Sequence, residues 1–147
     1  WFADLGTGGR KRLTKAMGGG LHGLMTFDQI AALAVLIGVV GVLIHGKARA
    51  DISVLEQAVE TYRLDNLAFP TDQQGLDALV SAPADLARPE RYREGGYIRR
   101  LPTDPWGNPY QYRRRSAHGG QFDVFSFGAD GKAGGEGDDA DLGNWQA

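Results

Sequence analysis

A run of fifteen residues without a single charge, IAALAVLIGVVGVLI at positions 30–44, constrains this chain more than any other feature. As a helix rising 1.5 Å per residue it would span about 22 Å, short of a hydrocarbon core of ~30 Å. Extending it back through Met25, Thr26 and Phe27 gives twenty residues but takes in Asp28 and Gln29. A buried helix and a signal-peptide core are the competing assignments. A water-soluble domain has little use for a helix that is apolar on every face, so the run is read as a membrane-inserted segment. Arg10, Lys11, Arg12 and Lys15 precede it, whereas Lys47 and Arg49 follow. The positive-inside rule then puts the N-terminus in the cytoplasm and the larger C-terminal part outside it.

Charge divides the chain in the same place. Residues 1–50 carry a balance of +4 and residues 51–147 a balance of −6, hidden within a net charge of −2. Two environments for two parts follow from such a split, and the acidic part is a poor match for nucleic acid. The length of 147 residues suits one ordinary domain with an appendage. There is no cysteine, which excludes disulfide scaffolds, thiolate metal sites and cysteine nucleophiles. The 22 glycines are roughly double the usual ~7 % and predict many turns.

Three regions result: a flexible, glycine-rich basic leader at 1–23, an anchor helix at 24–46 and a globular domain at 47–147. From Lys47 the pattern becomes amphipathic. Ile52, Leu55, Val59 and Tyr62 form one helical stripe, with Asp51, Glu56, Glu60 and Arg63 on the other faces. No breaker lies between Lys47 and Leu64, so the apolar run and this segment are expected to form one helix, with Gly46 as its weak point. Pro70 ends the helical stretch. Thr71 is expected to cap a second, short helix whose apolar face is Leu76, Leu79 and Val80. Residues 81–96 read as irregular loop and residues 97–101 as a short extended piece. A turn follows at 104–109, with Trp106 as a buried-aromatic candidate. Residues 110–114 and 122–127 are expected to pair as an antiparallel hairpin. No internal repeat is visible.

The tail from Gly128 carries Asp130, Glu136, Asp138, Asp139 and Asp141, opposed only by Lys132. Carboxylates crowded this way repel unless solvated or bridged by a cation. Calcium suits such a segment, because it takes six to eight oxygens from carboxylates and backbone carbonyls, and glycines let carbonyls turn inward. Trp145 is placed to anchor the far end. An EF-hand is rejected, since its third and fifth positions fall on Lys132 and Gly134, which bring no side-chain oxygen. Composition leaves two readings, a non-EF calcium loop and a solvated acidic tail.

Other constellations fail. His22, His45 and His118 share no ligand spacing. Neither a G-x-S-x-G elbow nor a phosphate loop is present. Asp104 and Asp123 could be cast as a glycosidase pair, but sixteen acids in residues 51–147 supply such pairs by chance. The Arg113-Arg114-Arg115 run and the Arg99-Arg100 pair could meet phosphate or acidic partners; a solvated strand end is the plainer reading. No catalytic role is expected.

In order, the chain carries Tyr62-Arg-Leu-Asp-Asn66, Phe69-Pro-Thr71, Gln74-Gly-Leu-Asp-Ala-Leu79 and Gly95-Gly-Tyr-Ile-Arg-Arg-Leu-Pro102. Then come Asp104-Pro-Trp-Gly-Asn-Pro-Tyr110, Asp123-Val-Phe-Ser126, Gly128-Ala-Asp-Gly131 and Asp141-Leu-Gly-Asn-Trp145. This series resembles the major pseudopilins of type II secretion systems, the general secretion pathway protein G family of the type IV pilin-like superfamily, over about residues 47–147. The resemblance implies an α+β pilin fold, in which a long N-terminal helix packs on a small antiparallel sheet with a C-terminal calcium-binding loop. It implies a single-pass inner-membrane subunit with its C-terminal domain in the periplasm. Such subunits self-associate into the pseudopilus, a filament that moves folded proteins through the outer membrane. Its partners would be minor pseudopilins, the inner-membrane secretion platform and the outer-membrane secretin. It also implies a Ca2+ ion held by Asp130, Asp141, the carbonyls of Phe127 and Lys132, and one further acid. Ala140 breaks the usual acid pair, which makes Asp139 the substitute ahead of Asp138 or Glu136.

The N-terminal part departs from the family. The match to the prepilin cleavage glycine is Gly23, with Leu24 in place of the methylated phenylalanine. Asp28 stands where the family has the glutamate that meets a neighbouring subunit's terminal amine during assembly. The anchor's usual proline is missing, and the helix up to Tyr62 is about three turns shorter than expected. This altered anchor motivates one alternative, a membrane-tethered periplasmic calcium-binding interaction module that does not polymerise.

Overall fold

The structure, a computed structural model, describes residues 26–146. One helix, α1 (Phe27–Asn66), passes through two compact units that divide between Val40 and Gly41. Gly46, the expected weak point, does not interrupt it.

In the first unit the helix start is fixed by a reciprocal box. Gln29 N–H donates to Thr26 Oγ1 at 3.3 Å, and Thr26 N–H donates to Gln29 Oε1 at 2.9 Å. Asp28 sits in the first turn, where the positive end of the helix dipole favours an anion. An eighteen-residue stretch of α1 with the composition of a membrane span has none of its residues buried. Phe27, Val35, Leu36 and Ile37 are all more than half exposed. Exposure of this kind on every side of a helix calls for lipid or for other helices.

The second unit is an α+β domain. The expected stripe holds: Ile52, Leu55, Val59 and Tyr62 are buried, joined by Ala48 and Ala58. They pack with Leu76, Leu79, Tyr110, Phe122, Val124 and Leu142 in a single core. α1 ends where Leu67 N–H donates to Arg63 O, with Leu67 at φ 62°. That left-handed position ordinarily goes to glycine or asparagine. Thr71 and Gln74 repeat the reciprocal box seen at Thr26. It leads into a 3-10 turn, Gly75–Leu79, which is the expected short helix.

The sheet has the order β1-β2-β3, all antiparallel, with β1 at Gln111–Arg113, β2 at Asp123–Ser126 and β3 at Leu142–Gly143. Tyr112 faces Val124, and Ser126 faces Leu142. The hairpin is as expected, but two features differ. Residues 97–100 form bends and 101 is irregular, so 97–101 is not an extended piece. The N–H groups of Tyr97 and Ile98 both donate to Leu79 O, at 2.8 and 3.2 Å, which ties the segment to the 3-10 turn. The second difference is β3, which the sequence did not suggest. Two residues are too few to show alternation, and β2 supplies the template. β2 is also buried on both faces, and alternation is lost there. Trp106 is half-buried, edge-on to His45.

Candidate metal centre

The acidic segment leaves the sheet at the end of β2 and returns at β3, so strand pairing fixes both arms. Two buried carboxylates brace the region. Asp104 caps its own turn, with Oδ1 accepting from Trp106 N–H at 3.1 Å and Asn108 N–H at 2.7 Å. Its Oδ2 accepts from the Ser126 hydroxyl at 2.7 Å. Ser126 Oγ in turn accepts from Gly128 N–H at 3.1 Å. Asp123 accepts from the Ser116 hydroxyl at 2.6 Å and Ala117 N–H at 2.9 Å, with His118 Nδ1 at 3.3 Å and Arg113 at 3.5 Å. Burial by itself would raise its pKa; the hydrogen bonds from Ser116, Ala117 and His118 outweigh burial and hold it below the usual carboxylate value. Both carboxylates are therefore bound up in structure, which removes the glycosidase pairing of Asp104 and Asp123.

The loop closes on itself at its base. Ala129 N–H donates to Asp138 O at 2.8 Å. Gly128 has φ 81°, and a Cβ there would lie 2.7–2.8 Å from the backbone of Asp138, Asp139 and Ala140. Only glycine meets both requirements. Past the loop, Trp145 stacks on His118, the anchoring role expected of it.

Within the loop, Asp130 Oδ1 accepts from Lys132 N–H at 3.0 Å. The Asp141 carboxylate accepts from Gly134 N–H at 3.2 and 3.1 Å. Asp138 Oδ1 lies 3.1 Å from His45 Nε2. Asp139 and Glu136 are exposed. Among the described residues, no group of three or more His, Asp or Glu side chains is placed to share one ion. The donors nevertheless fit a hard dication in kind: all are oxygens, several are anionic, and the closed base brings the two acidic arms to one loop. An ion there would draw on backbone carbonyls for the rest of its shell.

Of the other residues named from sequence, Asp28 is placed in the first turn of α1, and Gly23 and Leu24 lie outside the described residues. His45 and His118 are far apart in sequence and serve different contacts, Asp138 and Asp123. The arginine run is largely structural. Arg113 reaches Asp123 and covers Phe125, while Arg114 covers Phe69 with its guanidinium 4.6 Å from the ring centre. Arg99 and Arg100 are exposed. Sequence reasoning missed the bracing role of Asp104. The Asp-Pro-x-Gly-Asn order was its signal, because an aspartate opening a proline turn accepts from backbone N–H groups two and four residues on.

Comparison with known proteins gives one answer. A family model described as "Type II secretion system (T2SS), protein G" matches residues 42–145. The type II secretion system core protein G of Pseudomonas aeruginosa is 41 % identical over 132 residues, covering 82 % of this chain and 92 % of the relative. That of Vibrio cholerae is 57 % identical over 99 residues, 67 % of this chain and 66 % of the relative. The crystal structure of the major pseudopilin from the type 2 secretion system of enterohaemorrhagic Escherichia coli matches with a TM-score of 0.66 at 43 % identity. It covers 76 % of this chain and 95 % of that one.

Proposed function

The chain belongs to the type II secretion system protein G family, and we propose that it is the major structural subunit of that system's pseudopilus. One observation carries this: a single helix exposes apolar side chains on all sides along its first half and builds a pseudopilin domain along its second. An apolar surface of that kind suits two environments in turn, lipid before assembly and the helices of other copies after it. Repetition of one heterologous contact generates a filament. The subunit acts by assembling, without catalysing a reaction.

In the finer reading, the first half of α1 spans the bacterial inner membrane once, and residues 47–147 lie in the periplasm. The filament meets minor pseudopilins, the inner-membrane platform and the secretin, and its growth drives export of folded proteins across the outer membrane. Gly23 is the processing point, Leu24 the new terminus, and Asp28 the acid that meets a neighbour's amine. Calcium is the resident ion of the loop, held by Asp130, Asp139 and Asp141 with the carbonyls of Phe127 and Lys132. Bound there, it supplies positive charge that lets the carboxylates stay close.

Overproduction in a bacterial host, shearing, and negative-stain microscopy test the assembly. Filaments labelled by an antibody to the chain are expected. Membrane-bound single subunits alone would replace this reading with the tethered, non-polymerising module.

A further inference from the structure

We propose that Ser126, locked in place by buried Asp104, is a positioning residue for the cation loop: it aims the Phe127 carbonyl. The inference rests on the calcium reading above and concerns how the protein prepares one ligand before the ion arrives.

Ser126 is fully buried and Asp104 is 3 % exposed. The carboxylate accepts a 2.7 Å hydrogen bond from the serine hydroxyl, which fixes the hydroxyl rotor. A lone pair of Oγ is then directed at Gly128 N–H, 3.1 Å away. That N–H belongs to the same peptide unit as the Phe127 carbonyl. The described residues contain no cis peptide bond, and in a planar trans unit the N–H and C=O point in opposite directions. Holding one end of the unit therefore fixes the other. The far side is fixed too, since the backbone of Asp138–Ala140 occupies the space beside the Gly128 Cα. Asp104 is in turn held by two N–H groups of its own turn. A chain of hydrogen bonds thus runs from the turn at 104–108 through β2 to the first residue of the loop. A ligand ordered in advance costs less to order on binding.

The test is calcium titration calorimetry on the full chain in detergent micelles, comparing wild type with Ser126→Ala and Ser126→Cys. The cysteine variant keeps the bulk and replaces a strong acceptor by a weak one, so it serves if the alanine variant fails to fold. Thr71→Ala is the control: it removes the hydroxyl that accepts from Gln74 N–H ahead of the Gly75–Leu79 turn, with no tie to the acidic loop. The calcium Kd should rise roughly three- to tenfold in the Ser126 variants, the fold-change that one net hydrogen bond sets. It should not move in Thr71→Ala, although that variant melts lower. Wild-type affinity in both Ser126 variants would overturn the positioning role and leave the calcium reading standing. A wild-type chain that takes up no calcium would overturn the calcium reading itself, and this role with it.

Discussion

Trp145 lies face to face with His118, the ring centres 3.6 Å apart and the planes 10° from parallel. The pair joins the β1–β2 connection to the end of the chain. Asp123 grips the same connection from beneath. The acidic loop is thus clamped past its second arm by an aromatic stack and at its first arm by Ser126. Trp145→Ala should lower stability by about 2–3 kcal/mol, through lost aromatic burial and contact with Phe125. Hydrogen exchange would show the loss concentrated at residues 128–146. Uniform loss across α1 would contradict a local clamp.

Acid sensitivity should trace to Asp123. Its folded pKa is depressed, so its contribution is fully present above the unfolded value of about 3.9 and is lost as pH falls through the folded value. Stability should therefore begin to decline below about pH 5. Asp123→Asn should cost about 2–4 kcal/mol at pH 7, by leaving buried donors under-satisfied. The variant's unfolding free energy should be flatter with pH over that range than the wild type's; equal slopes would assign the acid response elsewhere.

Leu67 offers a change in the other direction. It holds φ 62° and is 62 % exposed, so its side chain gains little from burial while its backbone carries the left-handed cost of about 1–2 kcal/mol. Leu67→Gly should stabilise the domain by about 0.5–1 kcal/mol after the added flexibility of the unfolded chain is set against it. Denaturant midpoints would register this. A destabilised variant would mean that Leu67 makes a contact worth more than its strain.

Calcium held in the acidic loop should raise the stability of the folded chain. At a hundredfold excess over Kd, a bound ion adds about 2.7 kcal/mol. Melting the full chain in detergent with calcium and then EDTA should show that difference, and Asp130→Ala or Asp141→Ala should abolish it. Equal melting temperatures in calcium and EDTA would reduce the segment to a solvated acidic loop.

How much of this was legible in the sequence depended on whether the signal was periodic. The stripe from Ile52 to Tyr62 repeats at helical spacing over three turns, and all four residues proved to be buried. The antiparallel pairing of β1 with β2 followed from two strand-like stretches, 110–114 and 122–127, on either side of a short connection; its register, Tyr112 opposite Val124, came only with the structure. β3 was illegible, because Leu142-Gly143 has no period and pairs only because β2 is already there. The bends at 97–100 are tied to a single carbonyl, Leu79 O, eighteen residues before Tyr97. At the candidate site the acidic residues could be listed from composition. The Asp104–Ser126–Gly128 connection could not, since it links residues 22 positions apart through one hydroxyl.

Assembly through α1 is tested by photo-cross-linking in native membranes. A photoreactive residue would replace Val35 or Val42, both exposed apolar positions of α1. If copies pack repeatedly through this helix, one probe per copy links each subunit to the next. Irradiation should then give a ladder of dimers, trimers and larger species on denaturing gels. A single monomer band at both positions, from a chain present in the membrane, would contradict the filament and leave a subunit that stands alone.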